Sequence, residues 1–187
     1  MKKINLKDFS SDKASIKYCC AKEAVNLSKI APATLYPDFG FFVKMLGNDK
    51  NVLKWTACRV IGNLSKVDAK NKVDKVIPSL ITLLSDKMMI SAANAAYALA
   101  EIAENKPRHR TKILKALLMV EKIKYYHHGQ ISPECRNVVL GHVINCLHKF
   151  GPSIYSQKEV KVFLQRQTKN TRPKVREMAQ KLFKNNV

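Results

Sequence analysis

The sequence predicts an all-α fold, a stack of helix pairs closed by one C-terminal helix, and three observations carry that prediction. Apolar residues recur at the three- and four-residue spacing of helices, and no run between turn signals alternates apolar and polar as a half-buried strand does. The chain is poor in turn formers and rings, with 6 Gly, 7 Pro and 7% aromatic residues against 46% hydrophobic ones. Its apolar content is mainly Ala, Leu, Val and Ile, which suits closely packed helices. Finally, the pattern repeats: Asp12-Lys13, Asp49-Lys50 and Asp86-Lys87 stand 37 residues apart, and a fixed period of this length marks a repeat architecture.

Each unit begins with a long helix. Ser15–Cys20 aligns with Val52–Ala57 and with Met89–Asn94, more loosely with Glu134–Val139, and again with Lys174–Ala179. These first helices are expected over 13–30, 49–66, 86–104, 132–150 and 172–185. An Asp, Asn or Ser ahead of an apolar-periodic run is an N-cap signal, because its side chain accepts a hydrogen bond from an amide the helix leaves unpaired. Ser11 or Asp12, Asp49, Asp86 and Asn170 hold that place. Leu53, Ala57, Val60, Ile61 and Leu64 share one face, as do Ile90, Ala93, Ala96, Tyr97 and Ala100.

Second helices are expected over 36–46, 71–84, 109–124 and 156–167. Val76, Leu80, Ile81, Leu83 and Leu84 build one of them, and Ile113, Leu114, Leu117, Leu118 and Val120 another. The units fall at about 11–47, 48–84, 85–127 and 128–167, with a cap over 168–187, in one domain spanning 1–187. Tyr125-Tyr126-His127-His128-Gly129-Gln130 breaks the period and reads as an inserted loop.

Asp49, Leu53-Lys54, Ala57 and Ile61-Gly62-Asn63-Leu64, followed by Val76-Ile77-Pro78-Ser79-Leu80-Ile81-Thr82-Leu83-Leu84-Ser85-Asp86, resemble the HEAT repeat with armadillo-like features. So does Pro173-Lys174-Val175-Arg176-Glu177-Met178-Ala179. The resemblance covers roughly residues 11–185. It implies a right-handed α-α superhelix, a HEAT/armadillo-like solenoid of about four helix pairs plus a capping helix, in which nearest neighbours stabilise one another. It also implies that the second helices line a concave face where partners bind. One HEAT-like group, the alkylpurine DNA glycosylases, is likewise small and basic, and acts through aromatics and an acidic residue in a cleft. This chain shows no match to that pattern, and its only tryptophan, Trp55, occupies a repeat slot that reads as packing, so glycosylase chemistry stays a remote alternative.

No phosphate-binding glycine loop, His-Glu-x-x-His motif or Gly-x-Ser-x-Gly elbow is present, so a non-enzymatic protein without cofactor or small-molecule substrate is expected. Glu101 and Glu104 share a helix turn and read as a solvated helix end. Five cysteines, an odd number without framework spacing, read as small buried residues of a reducing compartment. Cys135, His142 and Cys146 fall on one helix face, but no second element offers zinc ligands, so no metal is expected. The start Met1-Lys2-Lys3 is not followed by an apolar run, and no stretch approaches ~18 apolar residues. Cytoplasmic location follows as the expectation, a nuclear one stays open, and no membrane partner is expected.

Charge gives the sharpest functional signal. There are 34 Lys+Arg against 14 Asp+Glu, a formal net charge of +20, which attracts polyanions. The basic residues recur in the loops between the helices of each unit: Lys66, Lys70, Lys72 and Lys75 in one, Lys106, Arg108, Arg110 and Lys112 in the next, then Lys158 and Lys161, with Lys169, Arg172, Lys174 and Arg176 at the C-terminal end. Stacked repeats would align these into a ridge near the N-termini of the second helices, which favour phosphates. Few rings interleave, so backbone contact with duplex nucleic acid is expected rather than base stacking. Asp68 and Asp74 interrupt the ridge, while Thr82, Lys115 and Glu121 break up an oily groove on the second helices. An acidic protein segment bound on the concave face is the alternative partner.

Overall fold

A computed structural model describes residues 4–186; Met1-Lys2-Lys3, read above for a leader, lies outside them. Its helices are α1 (Ala14–Ile30), α2 (Pro32–Leu35), α3 (Phe39–Met45), α4 (Asn51–Leu64), α5 (Ile77–Leu83), α6 (Met89–Asn105), α7 (Arg110–Leu118), α8 (Pro133–Cys146), α9 (Lys158–Gln167) and α10 (Pro173–Asn186). The first helices α1, α4, α6, α8 and α10 stack side by side in chain order, and α3, α5, α7 and α9 form a second layer against them. This is the all-α solenoid that the repeat predicts.

The second helices are shorter than their apolar patterns. Residues 71–84 divide into a 3₁₀ turn, Val73–Lys75, and α5, because Pro78 fixes the helix start and has no amide to extend it backwards. Likewise 109–124 divides into α7 and a 3₁₀ turn, Met119–Lys122.

The first helices start by a shared device. Ser11, Asn48, Asp86 and Asn170 each accept a hydrogen bond from the backbone N–H two residues on, at 3.2, 2.9, 2.8 and 2.9 Å. Each is a side-chain-closed turn set ahead of the helix rather than a cap on it. The expected cap at Asp49 is therefore corrected to Asn48, since the turn needs the acceptor two residues before Lys50, the residue that opens α4. In the fourth unit Ser132 is itself the cap, accepting from the Cys135 amide at 3.2 Å.

Small residues set the spacing of the stack. In α6, Ala92, Ala95, Ala96, Ala98, Leu99 and Ala100 are all fully buried. A Cβ on Gly62 of α4 would lie 2.8 Å from the Cα of Ala98, closer than side chains pack, so only glycine permits this helix crossing. Ile90, expected on the core face, is 45% exposed; the helical period sets it with Asn94 and Tyr97 on a stripe of its own.

The insertion is not a plain loop. Tyr126–His127 pairs antiparallel with Gln130–Ile131 in a two-residue-turn hairpin. Its turn residues His128 and Gly129 have φ of 48° and 79°, the left-handed pair that hairpin turns require. Tyr125, buried at its base, donates its hydroxyl to the Leu84 carbonyl, which ties the hairpin to the end of α5.

Gly62→Ala should lower the unfolding free energy by about 1–3 kcal/mol, the range for overpacking a close-fitting core. Urea denaturation reads this directly, and an unchanged midpoint would show that the α4–α6 crossing has slack.

Candidate polyanion-binding surface

The basic loops do stack, but much of their charge has an internal use. Asp68 is 4% exposed. It accepts from the Tyr36 hydroxyl at 2.6 Å and from the Lys72 and Val73 amides at 2.8 and 3.1 Å. Lys106, from the next unit, lies 3.2 Å from the same carboxylate and also donates to the Asp68 carbonyl and to Asn71. Burial alone would raise the Asp68 pKa, yet the hydrogen bonds from Tyr36, Val73, Lys72 and Lys106 outweigh it and hold the carboxyl below the usual range. Arg108 reaches Asp74 and Asn71, both at 2.6 Å, with His109 3.1 Å from the same carboxylate.

The remaining ridge residues divide into two groups. Arg110 donates to the Ala103 carbonyl, Arg172 pairs with Glu134, Arg176 donates to the Asn170 carbonyl, and the Lys72 ammonium lies 4.9 Å from the centre of the Tyr36 ring. Lys66, Lys70, Lys75, Lys112, Lys158, Lys169 and Lys174 are exposed and Lys161 is half-buried, without an ion pair among the described residues. Lys106, Arg108 and Arg172 thus staple neighbouring repeats, Arg110 and Arg176 bond within their own, and the lysines lie outside these contacts.

Other carboxylates follow the same rule. Asp86 pairs with Lys54 at 2.8 Å and Glu121 takes both arms of Arg166. Glu101 and Glu104 share Lys149 at 2.9 and 2.8 Å. The solvated-end reading of Glu101 is therefore corrected: it is 3% exposed, packed beneath the Lys149 that answers its charge. Of the 14 carboxylates, Asp68, Asp74, Asp86, Glu101, Glu104, Glu121 and Glu134 face cations of a neighbouring unit. Pairing takes up these carboxylates together with Lys54, Lys106, Arg108, Lys149, Arg166 and Arg172, so the charges left outside the pairs are mostly cations.

The first-helix layer, expected only to stack, carries a groove of about 520 Å³. Tyr18, Lys22, Val25, Asn26 and Lys29 of α1 line one side, Ile90 and Asn94 of α6 the other, with Trp55 and Arg59 of α4 between them. No carboxylate lines it among the described residues. The Arg59 guanidinium lies 3.6 Å from the centre of the Tyr97 ring and the Lys22 ammonium 4.7 Å from that of Tyr18, so rings hold the cations in place. Behind the groove, Tyr97 donates to Asn63 at 3.1 Å and Asn63 to Ser28 at 2.8 Å, a polar seam through α6, α4 and α1. Burial, then the Glu101 carboxylate, pushes the Tyr97 phenol up to about 12, so it remains a neutral donor. Farther along the layer, His142 and Asn145 of α8 face Lys174 and Met178 of α10 across a smaller groove. Burial, helped by Arg59 and Lys174, lowers the pKa of His142.

Lys174, together with Arg172 which also lines the smaller groove, belongs to the basic residues expected to bind a partner, whereas Trp55 and Ile90 were expected to pack. Tyr18, Lys22 and Lys29 stand exposed on α1 at four- and seven-residue spacing, away from the buried Ala21 and Ala24, while Trp55 and Arg59, four residues apart on α4, are half-buried. Trp55 both packs on the core and lines the groove. Among the described residues no group of three His, Cys, Asp or Glu side chains is placed to hold a metal ion. Cys20, Cys58, Cys135 and Cys146 are buried, and burial pushes Cys58 up to about 12. Cys19, expected to be buried, is exposed, because its neighbour Cys20 takes the inward position on α1.

Asp68→Asn should destabilise the protein by about 3 kcal/mol at pH 7, the scale for leaving a buried ion pair broken. The native carboxyl has a lowered pKa, so its contribution is present above the unfolded-state value near ~4 and fades as pH falls through the native one. Unfolding measured at pH 7 and at pH 2 should show the wild-type advantage at the first and little of it at the second.

No family model matches the chain, and no curated protein matches it either. Solved structures do. One engineered protein superposes with a TM-score of 0.51 at 14% identity, covering 96% of this chain and 95% of its own. Another gives 0.55 at 18%, covering 96% of this chain and 46% of its own. A designed armadillo repeat protein in complex with the peptide (KR)4 gives 0.58 at 13%, covering 95% of this chain and 79% of its own.

Proposed function

We propose that the chain, an all-α solenoid of armadillo-like helical repeats, is a non-catalytic binding module whose ligand is an acidic segment of another protein. The observation that carries this reading is the composition of the first-helix groove: cations, rings and carboxamides, without a carboxylate. Lys22, Lys29 and Arg59 suit carboxylate side chains. Asn26 and Asn94 offer donor and acceptor to an extended backbone, and Trp55, Tyr18 and Ile90 cover apolar side chains between the charges. The designed armadillo repeat protein is seen with a Lys-Arg peptide; the surplus charge here has the opposite sign to what such a peptide needs, which supports an acidic counterpart.

Nucleic acid is the second reading, favoured by Lys66, Lys70, Lys75 and Lys112, which stay exposed outside the staples. Its phosphate contacts would be independent of sequence and strongly salt-dependent.

Fluorescence anisotropy with a labelled Glu/Asp-rich peptide carrying interspersed Leu and Phe, beside a DNA and an RNA duplex, separates the readings. The acidic-segment reading expects saturable peptide binding that Lys22→Glu with Arg59→Glu weakens tenfold or more, a change of about 1.4 kcal/mol, while Lys70→Glu with Lys112→Glu leaves it nearly intact. Duplex binding that falls steeply with salt and follows the Lys70 and Lys112 changes would replace it with the nucleic-acid reading. Failure of every probe at low salt would overturn both.

A further inference from the structure

A second basic site lies away from the groove, where the end of α7 meets the start of α8 and the end of α9. A cavity of about 550 Å³ opens there, a size typical of small-molecule sites. Lys122, Arg136 and Lys169 line it, and none has a carboxylate partner among the described residues. Its one carboxylate, Glu121, is already forked by Arg166 at 2.7 and 3.0 Å. The lining therefore carries a surplus of three positive charges.

The wall behind these cations is built and rigid. Asn137, Gln167 and Asn170 are buried. Asn170 donates to Asn137 at 3.1 Å and to Gln167 at 2.8 Å, and Asn137 donates to Thr171 at 2.9 Å. The Gln167 carboxamide oxygen accepts within this network. Arg136 stands near the N-terminus of α8, where the helix dipole already disfavours a cation. Cations without carboxylate partners, set against a hydrogen-bonded carboxamide wall, suit an anionic ligand.

We propose that this cavity binds a phosphomonoester dianion. A carboxylate brings one charge, whereas three cations lining one cavity, a guanidinium among them, fit a doubly charged group with three acceptor oxygens. The cavity exceeds what a phosphoryl group fills, so the ligand carries an organic part. Among the described residues no aromatic ring lines the cavity, which does not favour a nucleobase seeking a stacking partner. A phosphorylated side chain and a small sugar or polyol phosphate share this chemistry. The site stands independently of the acidic-segment groove, with which it has no lining residue in common.

The test is titration calorimetry of the full chain at low ionic strength with inorganic phosphate, glycerol phosphate and a phosphoserine peptide, against its unphosphorylated form. Saturable binding of the phosphorylated probes is expected. It should weaken at least tenfold in Arg136→Gln with Lys169→Gln, whose retained fold a thermal melt checks, and stay unchanged in Arg59→Gln. Peptide binding should also fall between pH 8 and pH 5, as the phosphate loses its second charge near ~6. A peptide tighter than glycerol phosphate identifies a protein source, and the reverse order a small-molecule source; both support the site. Absence of saturable binding, or equal binding by the folded double variant, overturns it. Loss in Arg59→Gln alone would assign the phosphate to the groove and overturn it as well.

Discussion

The close crossing of α4 and α6 is the constraint on which the rest of the structure depends. Gly62 lets the Ala98 backbone approach within the space a methyl group would fill. The alanines of α6 then let neighbouring helices press in from both sides. This spacing brings the loops of adjacent units within reach of one another, so that Lys106 meets Asp68 and Arg108 meets Asp74. It also sets Trp55 and Arg59 between α1 and α6, forming the groove.

Scarce acids used as staples make sense of a chain with 34 cations and 14 carboxylates. A solenoid gains stability from each nearest-neighbour interface. Here several interfaces carry a carboxylate on one unit answered by a cation on the next. Asp68 has the most demanding of these roles, because it organises its own loop through two amides, anchors Tyr36 behind it and receives Lys106 ahead. The cations left over decorate the outside, and their surplus is available to a partner.

The fold was legible because it is periodic: helix positions, the stacking order and the core faces at Leu53 to Leu64 all followed from spacing. Local chemistry shifted details. The turn acceptor is Asn48 rather than Asp49, because the two-residue reach of the side chain, not its charge, decides. The hairpin was hidden in an inserted stretch too short to show alternation, although His128-Gly129 carried a turn signal. The surface was harder to read. A list of basic residues does not reveal that Lys106 and Arg108 are consumed by neighbours 38 and 34 positions earlier, since that pairing exists only after stacking. The groove was missed for the converse reason: Tyr18, Trp55 and Ile90 lie on three different helices, and only the fold gathers them.

The central claim is that a carboxylate-free groove over α1, α4 and α6 receives an acidic protein segment. The single tryptophan lies in it, so its intrinsic fluorescence is the direct measurement. On titration with an acidic, Leu/Phe-containing peptide, the account predicts a saturable change in Trp55 emission whose midpoint matches binding followed by anisotropy. Peptide binding with unaltered Trp55 emission would contradict it, because the segment would then occupy another face of the solenoid.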